Sequence, residues 1–161
     1  MKTSIFLATA GLLFVSSTAL SGRVLGGEQS DKVAVQAATA EFYGALNAMF
    51  KGDLEPMKAA WSHADDITYL GPDGKVNVGW KQTLADFQKQ ADMKLGGAVH
   101  HEQIMLNVGK ELAVMECREV GENMIDGKPV KVSLRATNVF RKENGKWKMI
   151  GHHTDKLPFL E

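Results

Sequence analysis

Apolar positions recur along this chain with a helical period in its first half and a period of two in its second. Val33, Ala37, Ala40, Ala45 and Ala48, with Phe42, Leu46, Met49 and Phe50 among them, predict a helix that closes at Lys51-Gly52. Asp53 is placed to cap a shorter helix with Pro56 in its first turn, carrying Met57, Ala60 and Trp61. Ile67 to Leu70 then reads as a strand, Asp73-Gly74 as a tight turn and Val76 to Val78 as the return strand. Gly79 opens a third helix with Trp80, Leu84, Phe87 and Ala91 at helical spacing.

From Ala98 onward apolar and polar residues alternate in runs too strictly two-periodic for helices. Four strands fit, roughly Val99 to Asn107, Leu112 to Asn123, Val130 to Arg141 and Lys146 to Asp155. Asp126-Gly127 and Asn144-Gly145 are two-residue hairpin signals, and such short links force antiparallel neighbours. The expected fold class is α+β, three N-terminal helices packed on a curved antiparallel sheet. Twist accumulating across long strands curls such a sheet into a cone, and a pocket between helices and concave face is the expected binding site.

Composition narrows the partners. The 161 residues carry 19 Lys+Arg against 19 Asp+Glu, so no basic excess exists for nucleic acid or an anionic membrane. A single cysteine, Cys117, allows neither an internal disulfide nor a cysteine-based zinc site, and beside Met115 and Glu119 it reads as an inert thiol.

The N-terminus adds an address. Lys2, the apolar run from Ile5 to Val15 and the small residues Ser16 to Ala19 form a secretory signal-peptide pattern, with cleavage expected near Ala19 or Ser21. The run is shorter than the roughly 20 residues a membrane-spanning helix needs. Residues 1–21 are thus expected as a signal peptide, 22–31 as a linker and 32–161 as one domain, in the periplasm or outside the cell.

The helix ending in Trp61, the Ala64-Asp65-Asp66 turn, the strand Ile67 to Leu70 and Gly79-Trp80 opening a helix together resemble the NTF2-like superfamily. The likeness is to its SnoaL-like and ketosteroid-isomerase-like members. The ending Val139-Phe140-Arg141-Lys142-Glu143-Asn144-Gly145-Lys146-Trp147-Lys148-Met149-Ile150-Gly151-His152-His153-Thr154 is similar to that superfamily's terminal hairpin and to that of the calmodulin-kinase association domain. The resemblance implies a cone, or cystatin-like α+β barrel. It does not imply steroid isomerisation: the aspartate that the family places before the proline after the first strand is Gly71 here, before Pro72.

Candidate site residues follow from strand parity and the resemblance. Glu116 and Arg118 share one strand face, either as polar groups in the cavity or as part of a charged outer face. Asn138 projects with Leu134 and Ala136. His152 and His153 point to opposite faces. The resemblance makes His153, in register with Trp147 and Met149, the catalytic acid or base. Tyr43, Trp61, Tyr69 and Trp80 are the aromatic ligand contacts, each an apolar body with a polar handle. His101-Glu102 begins like a metalloprotease signature, but Met105 stands where its second histidine would, so no metal and no cofactor is expected. The expected function is binding of a small apolar or weakly acidic molecule, with proton-transfer or hydration-type catalysis as an extension. The alternative is a homodimeric assembly module built on the outer sheet face.

Overall fold

The computed structural model describes residues 21–155, with side chains from residue 27. The signal-peptide expectation therefore falls outside the described residues for positions 1–20. Among the described residues nine elements follow one another: α1 (Ser21–Met49), α2 (Glu55–Ala60), β1 (Thr68–Leu70), β2 (Val76–Val78), α3 (Trp80–Met93), β3 (Ala98–Val108), β4 (Leu112–Ile125), β5 (Lys128–Glu143) and β6 (Lys146–Asp155). The stretch expected as a linker is helical, since α1 already begins at Ser21. Near its start Asp31 is bonded by the Lys142 ammonium and the Trp147 indole, which ties the helix to the far end of the β5–β6 hairpin.

The six strands form one sheet in the order β2-β1-β6-β5-β4-β3. From β3 to β6 the meander is antiparallel, whereas β1 lies parallel to β6, a pairing that alternation along the chain does not specify. Both two-residue hairpins adopt the turn their residues favour: Asp126 and Gly127, and Asn144 and Gly145, all have positive φ, matching strand twist. The sheet is curved and unclosed, and the helices cover its concave side.

Of the apolar positions that predict the first helix, Phe42, Ala45, Leu46, Met49 and Phe50 are buried, whereas Ala37 and Ala40 are exposed. Val35, Thr39, Phe42, Tyr43, Leu46, Met49 and Phe50 point at the sheet, while Val33 is 56% exposed. The larger side chains decide the orientation, because burying Phe and Met removes more apolar area from water than burying a row of alanines. They meet Met57, Trp61, Phe87, Met115, Phe140 and Met149 in one core.

Two irregularities shape the site. In β6, Phe140 pairs with Met149 but Val139 pairs with Gly151, so Ile150 is an extra residue, a β-bulge. Trp147 and Met149 face the core before the bulge, and His152 and Thr154 face it afterwards. At the other end, the α3–β3 connection is clipped to β4 by Met124 N–H donating to Leu95 O at 2.8 Å and Asn123 Nδ2 to Gly96 O at 3.0 Å. Gly97 allows that approach: its φ is +73°, and a Cβ there would lie 2.1 Å from Glu122 O. Gly97→Ala is therefore expected to cost about 2 kcal/mol or more, from left-handed strain plus the clash. Urea unfolding would check it, and a loss below about 0.5 kcal/mol would remove the clip from the account.

Candidate functional site

A cavity of about 640 Å³ opens between the helices and the concave face. Leu46 of α1, Phe50 in the turn after it, Gln90 of α3 and Leu95 form one side, Tyr69 and Pro72 the next, and Val99, Val130, Val132 and Leu134 the sheet side. Into this largely apolar space project two groups that can move protons, Glu119 from β4 and His152 from β6.

Both are almost fully buried, at 4% exposure each, and Glu119 Oε1 lies 3.7 Å from His152 Nε2. The Tyr43 hydroxyl donates to Glu119 Oε1 at 2.9 Å. Burial pushes the Glu119 carboxyl up to about 7, with the Tyr43 bond opposing that rise. Burial, and secondarily the neighbouring His153, lowers His152 to about 3. The two groups are thus neutral together in mildly acidic solution, a protonated carboxyl beside an uncharged imidazole.

Asn138, 0% exposed, fixes the imidazole. Its Oδ1 stands 2.6 Å from His152 Nδ1, while its Nδ2 reaches the Tyr43 hydroxyl at 3.4 Å and the Cys117 sulfur at 3.7 Å. A carbonyl oxygen accepts, so Nδ1 carries the proton and the Nε2 lone pair faces Glu119. Rings hold the imidazole from the sides: Tyr69 lies nearly parallel, 12° off with centroids 5.8 Å apart, and Phe42 is tilted at 5.1 Å. Burial pushes the Cys117 thiol up to about 11, which keeps it protonated beside Tyr43.

The sequence-derived candidates divide. Tyr69 lines the cavity, and Tyr43 and Asn138 stand directly behind Glu119 and His152 as their hydrogen-bond partners. Trp61 is a core residue, packed edge-on against Phe42, Tyr69 and Phe87. Trp80 lies outside the cavity and stacks on His63 with centroids 4.1 Å apart. Glu116 and Arg118 are exposed on the outer face, where the rungs run Glu102, Arg118, Arg135, Asp155 and Met105, Glu116, Thr137, His153. The expectation of His153 as the catalytic group is corrected by the same geometry. His153 is exposed and His152 is inside, because the bulge at Ile150 reverses the parity that Trp147 and Met149 set. Among the described residues no three His, Cys, Asp or Glu side chains converge as metal ligands.

Glu119 was the residue that sequence reasoning passed over, although a signal existed. Strict alternation puts it on one face with Ala113, Met115 and Cys117, a carboxylate in an apolar row.

With fold and site in view, comparisons with known proteins place the chain. Residues 35–155 match the model of the SnoaL-like domain, and the chain belongs to that family. Three solved structures are similar. One is described as an NTF2-like protein with a cystatin-like fold from Novosphingobium aromaticivorans, at 17% identity, TM-score 0.67, with 89% of this chain and 92% of that chain covered. A second, from Streptomyces avermitilis, is described as a candidate dehydratase of the NTF2-like family, at 22% identity, TM-score 0.68, covering 81% and 99%. The third, from Thiobacillus denitrificans, is described as a candidate calcium/calmodulin-dependent protein kinase type II association domain, at 22% identity, TM-score 0.66, covering 76% and 94%. At these identities the likeness is one of fold. No curated protein matches the chain. Among the described residues no helix is long and apolar enough to cross a membrane.

Proposed function

We propose that this protein binds a small, largely apolar molecule in its cone cavity and that Glu119, paired with His152, exchanges a proton with it. The observation that carries the reading is a titratable carboxyl held near neutrality inside an apolar cavity of about 640 Å³. In water the same carboxylate is a weak base. Stripped of solvent it becomes a stronger one, and its protonated form an acid available at neutral pH, the requirement for proton-transfer or hydration-type chemistry. The weakly acidic ligand expected from Arg118 is replaced by a neutral one, since Arg118 faces outward. Export rests on the pattern of residues 1–20.

A general probe of a carboxylate base is 5-nitrobenzisoxazole, whose ring opens when its C–H proton is removed. The mature protein is expected to accelerate this reaction, with a rate that rises with pH through about 7 as Glu119 ionises. Glu119→Gln should lower the rate by about 100-fold, the low end for a positioned base. A variant as fast as the parent would sink the assignment.

Homodimerisation through the outer sheet face is the second reading, favoured by exposed Ile104, Met105 and Leu112 at its β3–β4 end. A single monomeric species by light scattering at micromolar concentration would remove it.

A further inference from the structure

On the β1 side of the cavity stands a polar contact built by groups that the Glu119–His152 pair does not use. Asp86 of α3 is 6% exposed, and its Oδ2 accepts from Gln90 Nε2, one turn on, at 2.9 Å. A carboxylate offers only acceptors, so this bond decides which end of the Gln90 amide is nitrogen. The second hydrogen of the same nitrogen goes to Tyr69 Oη at 3.0 Å. Having accepted from Gln90, the Tyr69 hydroxyl directs its own proton elsewhere, and both residues line the cavity. Burial, reinforced by the Asp86 charge and opposed by the Gln90 bond, holds the phenol above its ordinary range, so it remains a donor.

The room for this hydroxyl comes from Gly71. A Cβ at that position would lie 2.7 Å from Tyr69 Oη and 3.0 Å from Cζ. Gly71 is absent from the positive-φ residues, so glycine serves space there and not backbone conformation. On the same wall Thr154, 3% exposed, has a hydroxyl with no hydrogen-bond partner among the described residues.

We propose that Tyr69, oriented by Gln90 and Asp86 and given space by Gly71, is the donor that selects the ligand: a neutral molecule carrying an accepting oxygen, a ketone or ester carbonyl, on an apolar body. This deepens the cavity-binding reading and rests on it. A hydrocarbon leaves the Tyr69 proton unsatisfied once water is displaced, and a carboxylate meets Glu119 in the same cavity, with Asp86 behind Gln90. Asp86 is itself faced by Lys75 at 3.9 Å, which in turn is held by Asp73 on the β1–β2 turn.

Three matched probes separate the cases: 2-acetylnaphthalene, 2-ethylnaphthalene and 2-naphthoate, titrated by naphthalene fluorescence into the mature protein at pH 8, where Glu119 is ionised and offers no proton of its own. The ketone is expected to bind about fivefold tighter than the hydrocarbon, within the range of one neutral hydrogen bond, and naphthoate most weakly. Tyr69→Phe should bring the ratio of ketone to hydrocarbon affinity close to one. Gln90→Leu, which leaves the phenol in place without its guide, should lower the ratio in the same direction. Equal affinities in the parent protein, a ratio that survives both substitutions, or naphthoate binding tightest would each overturn the proposal while cavity binding stands. Failure of all three probes to bind would overturn the cavity reading and this proposal together.

Discussion

Stability of the parent protein is expected to be greatest between about pH 4.5 and 6.5 and to fall on both sides, with the two limbs set by two adjacent residues. Glu119 ionises near 4.5 in the unfolded chain but near 7 when folded. Across that interval the folded state holds the extra proton, so Glu119 lowers stability as pH rises, by about 3 kcal/mol once pH exceeds 7. His152 works in the opposite sense. Its ordinary value of 6.5 drops to about 3 on folding, so below 6.5 the unfolded chain takes up the proton and stability falls with pH, by about 5 kcal/mol near pH 3. Between 4.5 and 6.5 the two slopes oppose each other.

Glu119→Gln should erase the small alkaline limb, about 0.7 kcal/mol between pH 6.5 and 7, and, with nothing left to oppose His152, extend the acid limb up to pH 6.5. Asp31, Asp66 and Asp73, held low chiefly by bonds from Lys142, Arg141 and Lys75, steepen the acid limb only around and below 3.8. Urea midpoints from pH 3 to 9 would decide the matter, and an alkaline limb that survives in the variant would place the titrating group elsewhere.

Asn138→Leu is expected to cost about 3 kcal/mol, more than its volume would suggest, because it strips partners from groups that water cannot reach. Nδ1–H of His152 loses its acceptor at 2.6 Å, and the Tyr43 hydroxyl loses the Asn138 contact at 3.4 Å. The imidazole would also be released from its tautomer. Nitrogen chemical shifts should then show Nε2–H gaining population as that atom turns its proton toward Glu119, 3.7 Å away. A loss under about 1 kcal/mol with an unchanged tautomer would mean that Asn138 only fills space.

Much of the fold is legible in the residues themselves. The hairpins follow from Asp-Gly and Asn-Gly because positive φ is cheap there, and the long strands from alternation. The parallel pairing of β1 with β6 is set by how the helices fold back over the sheet, a matter of global packing, and no short-range pattern encodes it. At the site the loss was narrower. Alternation groups Asn138 with Leu134 and Ala136, and Glu119 with Met115 and Cys117, but which of the two faces looks inward is set by the helices that cover it. His153 failed because alternation assumes an unbroken pleat, and one extra residue at Ile150 exchanges the two faces.

That bulge has an evolutionary reading. Since the residues it exchanges are both histidines, moving the extra residue from before Gly151 to beyond His153 would turn His153 to the cavity side in place of His152, one rung along the strand, whereas deleting Ile150 would leave His152 inside. The doubled histidine makes an imidazole at this wall tolerant of slippage in the last strand, leaving the position of the bulge free to drift so long as Asn138 keeps a ring nitrogen in reach.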